Sequence, residues 1–244
     1  MKKIYLLTLL MASGTLLRAQ EAGQAVKSFE KIIASPHVHV VLQKGDKESV
    51  RLTFNDGTVK DKMNVEVEGK TLHLYLDGAR KIEKYMSYDN QSWNRGFYHG
   101  VRITAYVTYK HLTSLEIRGD QQLICNDPIE AEEFTLRAYG ENDIRLASLK
   151  TEYFRVALYG ENKLEIRDGK VLEQRYRLYG ENDINTREMK SAYVSTSIFG
   201  EGDLRLHSAR EVRINAFGSP RIEVNGGGHV NRQLVLGEAH IRKY

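Results

Sequence analysis

Glu141, Glu161, Glu181 and Glu201 recur in this chain at every twentieth position, and Asn142, Asn162 and Asn182 directly follow the first three. Clustered carboxylate and amide oxygens are the hard donors that a calcium ion takes. Without a cation, carboxylates about 5 Å apart in water repel by roughly 1 kcal/mol per pair. An exposed, solvated column with Arg137 and Arg177 close in sequence tolerates that. The Asp-and-Gly nonapeptide of calcium-binding β-rolls is absent, which favours the solvated column. Two residues ahead of the glutamates stand Tyr139, Tyr159 and Tyr179, and Phe199 and Phe217 continue that series. A line of rings either stacks on itself as a structural column or presents a binding surface to an extended glycan.

A second aromatic group, Tyr88, Trp93, Phe97 and Tyr98, lies in residues 85–100, a stretch of aromatics and amides without alternation that reads as a long loop. Trp and Tyr give large contact area at little entropic cost, so these rings are candidates for stacking on a sugar or anchoring a protein partner. The plainer reading folds them onto the flank of the molecule. His37 and His39 flank Val38, so on a strand they would share a face, but no third metal ligand accompanies them. The single cysteine, Cys125, has no disulfide partner and sits among apolar neighbours as a small hydrophobe. No nucleophile elbow, zinc-protease helix, phosphate loop or dinucleotide fingerprint occurs. No catalytic residue and no cofactor is therefore assigned.

The elements that position these residues follow from one period. Glycines stand at 119, 140, 160, 180, 200, 218 and 237, and from 140 to 200 they are 20 residues apart. Two residues before them come Ile117, Ala138, Leu158, Leu178, Ile198, Ala216 and Val235. Four after them come Leu123, Ile144, Leu164, Ile184, Leu204, Ile222 and Ile241. Polar residues fill the gaps, and apolar–polar alternation is the mark of a strand with one buried face. Each unit reads as strand, glycine corner, strand, second turn. Two short strands per unit are too few for a propeller blade. They instead stack coil on coil as a β-solenoid, right-handed and β-helix-like, with about 20 residues per coil and a spacing of about 4.8 Å. Residues 27–110 carry shorter alternating runs between turn signals such as Asn55-Asp56-Gly57 and Glu68-Gly69-Lys70, without the clean period. They form an irregular β half that is expected to cap one end, and residues 111–244 form the regular coils.

The chain opens Met1-Lys2-Lys3, continues with an apolar run to Leu17 and reaches Ala19, the layout of a secretory signal peptide covering residues 1–19. Its removal takes away Lys2, Lys3 and Arg18 from the 36 basic residues, leaving 33 against 32 acids. A nearly neutral mature chain argues against nucleic acid as a partner. The apolar run is short for a membrane span, and nothing later approaches one. Residues 20–244 read as one domain.

From Val26 onward the layout resembles the bacterial family named putative auto-transporter adhesin, head GIN domain. The resemblance rests on Phe29-Glu30-Lys31-Ile32 leading to Val38-His39-Val40-Val41-Leu42, and on Val101-Arg102-Ile103-Thr104-Ala105-Tyr106-Val107-Thr108-Tyr109 leading to Leu112-Thr113-Ser114-Leu115. It rests also on glycine corners followed by an acid and Ile or Leu, as in Gly140-Glu141-Asn142-Asp143-Ile144. Here Gly-Glu-Asn stands where the family usually has Gly-Ser-Gly-like corners. The resemblance implies an exported β-helical protein of the cell envelope, with no catalytic residues to carry over. The expectation is a non-catalytic binding or adhesion module, periplasmic, surface-located or extracellular, with a glycan or a cell-surface protein as partner. A polysaccharide-active β-helix enzyme and a purely structural envelope protein are the alternatives.

Overall fold

The computed structural model describes residues 23–81, 85–86, 95–96 and 98–244, the two short internal pairs by backbone alone. The leader and Tyr88, Trp93 and Phe97 lie outside the described residues. The molecule is a β-solenoid of about 6 turns, built almost wholly from strands.

In chain order the first strands are β1 (Gln24–Ala25), β2 (Lys31–Ala34), β3 (Val38–Lys44) and β4 (Ser49–Phe54). A single 3-10 turn, Gly57–Lys62, follows; Asp56 caps it by accepting from the Thr58 backbone N–H. Then come β5 (Met63–Glu68), β6 (Thr71–Leu76), the two-residue pair β7 (Tyr85–Met86) and β8 (Arg95–Gly96), and β9 (Ile103–Tyr109). The repeats are β10 (Ser114–Glu130), β11 (Glu133–Ile166), β12 (Gly169–Asn185), β13 (Met189–Glu201), β14 (Asp203–His207), β15 (Glu211–Gly218), β16 (Arg221–Asn225), β17 (His229–Leu236) and β18 (His240–Lys243).

The repeats stack in parallel and in register. Gly119 pairs with Gly140, Gly160 with Gly180, Gly180 with Gly200, and Gly200 with Gly218. The inward positions foreseen from the alternation form one continuous core running from Phe29 to Val224, with Leu136, Leu158, Leu178 and Ile198 fully buried. At about 1.5–3 kcal/mol per fully buried large apolar side chain, this column dominates stability.

The glycine corners have a stereochemical cause. Gly140, Gly160 and Gly180 have φ of +104°, +106° and +95°. In each, an added Cβ would point along the stack at the carbonyl of the glycine one coil below. The positive φ lets the residues on either side of the glycine both face outward without breaking the ladder.

The irregular half is two further coils threaded out of order. β2 and β3 lie directly against β10. On their other side lie β6 against β2 and β9 against β3, both parallel. The chain thus lays one rung, builds the rung beneath it, then crosses back to continue upward. β5 pairs antiparallel with β6, and β4 with β9. These antiparallel strands terminate the parallel stack at that end, which is how a solenoid protects an edge from further pairing. A small second cluster, with Val59, Leu76, Ala79, Tyr98 and Ile103, fills this capped end.

Candidate functional site

The foreseen aromatic column forms. Tyr139, Tyr159, Tyr179, Phe199 and Phe217 stack with centroids 5.1, 5.0, 4.8 and 4.8 Å apart, and their planes diverge by 2–6°. This geometry favours the structural reading of the column. Sugars stack on ring faces, and each interior face is already covered by the next ring; only edges meet solvent, with Tyr179 37% and Phe199 39% exposed. Each stacked pair contributes about 0.5–1.5 kcal/mol to the coil contact. The outer face of Tyr139, at the end of the column, is the exception. It looks toward the preceding rung, where Arg118 holds the equivalent place.

Glu141, Glu161, Glu181 and Glu201 line up as expected, with Asp120 extending the column by one rung. The asparagines do not join them. Asn142, Asn162 and Asn182 are buried and bond one another up the stack. Asn142 Nδ2 donates to Asn162 Oδ1 (2.8 Å), Asn162 Nδ2 donates to Asn182 Oδ1 (3.0 Å), and Asn182 Nδ2 donates to the Tyr179 carbonyl (3.2 Å). The amide oxygens that a calcium site would need thus face the interior. Among the described residues no three carboxylate, histidine or cysteine ligands converge on a common point.

Tyr98, one of the four loop aromatics, is 4% exposed. Its hydroxyl donates to the Asp77 carbonyl (2.7 Å) and its ring meets His37 edge-on at 6.0 Å. A ring held this way anchors the capped end and offers no free face. His37 and His39 also separate in role. His37 precedes β3 with φ +72°, unusual for a side-chain-bearing residue, and its Nδ1 lies 3.1 Å from the Val101 carbonyl. His39 Nδ1 accepts the Gln122 backbone N–H (2.8 Å). Cys125 is buried, and burial pushes its thiol up from the ordinary value, away from thiolate chemistry.

A concavity lies where the irregular rungs meet the first regular one. It is a groove of about 1240 Å³, and its walls include His39, Lys81, Arg102, Arg118, Asp120 and Tyr139. Arg118 is held by Glu116, with Nε 2.8 Å from Oε1, and by the Arg80 carbonyl. Lys81 and Arg102 are exposed and have no carboxylate within ion-pair distance among the described residues. Lys81 and Gly100 both line the groove. Sequence reasoning missed this cluster because its members come from five distant segments. The one available signal was Arg118, which takes the column position held by aromatics in later coils.

Burial holds the His39 imidazole below its usual range, and neighbouring Arg102 adds to that against the opposing pull of Asp120. His73 is lowered chiefly by burial as well, then by Arg80. The folded state therefore disfavours the imidazolium, while the unfolded chain protonates near pH 6.5. Stability from these groups is present above that pH and is lost as pH falls through it. Thermal melts are expected to show a lower midpoint at about pH 5 than at about pH 7.5, and His39→Asn to flatten part of the decline.

No curated protein matches the chain. Several solved structures are similar in fold. A putative adhesin of Bacteroides fragilis superposes with TM-score 0.72 at 16% identity, over 91% of this chain and 95% of that one. A putative adhesin of Parabacteroides merdae gives 0.65 at 15%, over the same shares. A protein of Parabacteroides distasonis described as a putative lipid binding protein gives 0.58 at 16%, over 91% and 96%. Such identities speak for the fold alone. The family model for the putative auto-transporter adhesin, head GIN domain, matches residues 28–228, over the irregular rungs, the groove and the glycine column alike. With the stacked architecture in place, that match establishes that this chain belongs to the head GIN domain adhesin family.

Proposed function

We propose that the protein is an exported, non-catalytic binding module of the bacterial cell envelope, and that it holds an acidic glycan in the groove beside Tyr139. The carrying observation is that Lys81 and Arg102, two exposed cations with no carboxylate within ion-pair distance among the described residues, share one concave site with Tyr139, the end ring of a long aromatic column. Cations recognise the carboxylate or sulfate of an acidic sugar by charge-assisted hydrogen bonds. An aromatic face takes the apolar side of the ring. The leader-like N-terminus and the adhesin family support export. Asp120 is the one acid among the described groove residues, whereas glycoside cleavage ordinarily uses a pair.

A glycan array carrying acidic and neutral sugars tests this. The wild-type chain is expected to retain acidic glycans. Each charge-assisted contact is worth about 1.5–3 kcal/mol, so Lys81→Ala and Arg102→Ala should each weaken binding by about 10-fold or more. Trp93→Ala asks separately whether the aromatic segment contributes. Glycan turnover would make the protein an enzyme, and an array without any binding would leave a structural role.

A further inference from the structure

Two outward columns on the solenoid carry runs of like charge. One is the Glu141–Glu201 column. The other lies at the second turn of the coils, where Lys150, Lys170 and Lys190 pair rung to rung. Lys150 leans toward Glu130 at 3.5 Å, but Lys170 and Lys190 have no carboxylate within ion-pair distance among the described residues. Lysines held about 4.8 Å apart by the rung spacing repel.

The lysines form one wall of an axial groove of about 830 Å³. Two residues further along each coil the other wall carries Glu132, Glu152, Leu172 and Ala192, and Ala209 extends it; with Glu130 beneath Lys150, the acids gather at one end of the groove and the Lys170 and Lys190 rungs face apolar residues. Leu172 is 45% exposed, which is unusual for a leucine amid regular coils. The glycine corner is its counterpart in relief. There the exposed ring edges of Tyr159, Tyr179 and Phe199 run parallel to Glu161, Glu181 and Glu201, again two residues apart along the chain.

We propose that these two faces dock: the glycine corner of one copy of this chain seats in the lysine groove of a second copy. Both columns are ruled by the same rung spacing, so a match at one rung carries to the next. The chemistry also fixes the orientation. Along the chain the corner reads ring then acid, and at the Lys170 and Lys190 rungs the groove reads base then apolar. When two such faces meet with stack axes parallel, acids fall on lysines and rings on Leu172 and Ala192. With axes antiparallel, acids fall on the apolar row and rings on the lysines. Copies therefore associate side by side and pointing the same way. Because the two faces differ, the contact is heterologous and extends into rows rather than closing as a dimer. The contact spans only a few rungs, so it is weak in dilute solution and grows where copies are dense.

Sedimentation velocity over a concentration series reaching on the order of 1 mM tests the proposal, in salt from about 0.01 M to about 1 M, across which the Debye length falls from about 30 Å to about 3 Å. The wild-type chain is expected to associate at low salt and dissociate at high salt. K150E/K170E/K190E and E141K/E161K/E181K, each confirmed folded by its circular dichroism, are each expected to remain monomeric. Mixing the two should restore association, since each then meets the opposite charge. A wild-type chain that stays monomeric throughout would overturn the proposal, as would variants that associate alone or a mixture that does not. Heparin capture that depends on the three lysines, without self-association, would also overturn it by assigning the groove to a polyanion.

Discussion

Gly180→Ala is expected to lower the thermal midpoint by about 10 °C or more, and Gly69→Ala by far less. Both glycines have positive φ, +95° and +58°. An alanine at either position takes on the backbone strain of a conformation that L residues avoid, about 1–2 kcal/mol. They differ in what the new methyl meets. At Gly69 nothing lies within 4 Å. At Gly180 an ideal Cβ would sit 2.5 Å from the Gly160 carbonyl oxygen and 3.1 Å from its carbon. Those atoms are backbone in a ladder bonded on both sides, so neither can rotate away. The coil must part or twist, and the added cost is of the overpacking kind, about 1–3 kcal/mol. The total is about 2–5 kcal/mol, reaching the upper end for single substitutions. Because coils contact only their neighbours, the damage is also expected to reduce cooperativity and broaden the transition. Equal destabilisation at the two positions would show that dihedral strain alone sets the cost, and that the close approach of coils does not require glycine.

The same column explains why the repeats were legible in the chain and the first hundred residues less so. From Gly140 to Gly200 rung order equals chain order, so one rung spacing in space is one period in sequence. In the irregular half that equality fails. β2 and β3 are sandwiched between β10 and the later pair β6 and β9, so no fixed separation links a residue with the one above it. The individual strands were readable there from alternation, but their order in the stack was not. The groove proposed for binding lies in this region, where Lys81, Arg102 and Arg118 meet only through the threading. The aromatic column was foreseen, yet only the coordinates show that its stacked faces are spent on one another. The asparagines went astray for a different reason. They look polar and follow an exposed glutamate. Yet Asn142 stands two before the buried Ile144, so alternation counted back from the core, rather than forward from the corner, places its side chain inside.

Asn162→Leu is accordingly expected to destabilise the protein by about 2–5 kcal/mol despite being a polar-to-apolar change at a buried position. Leucine matches the volume but can neither accept from Asn142 Nδ2 nor donate to Asn182 Oδ1. Each stranded buried group costs about 1–3 kcal/mol, more than leucine regains by its own burial in a slot lined by amides. Asn162→Asp separates the hydrogen bonds from the packing. Its carboxylate still accepts from Asn142, but it faces the Asn182 oxygen and is desolvated, so its folded pKa should lie above the unfolded value of about 3.9. Between those two values the folded state binds the extra proton, and stability rises as pH falls. Protonation also supplies the O–H that Asn182 Oδ1 needs. The aspartate variant should therefore regain stability relative to wild type as melts move from about pH 7 toward about pH 4, against the downward trend of the wild-type histidines. A leucine variant as stable as wild type, or an aspartate variant whose deficit does not shrink with acid, would mean that the amide ladder contributes nothing beyond filling space.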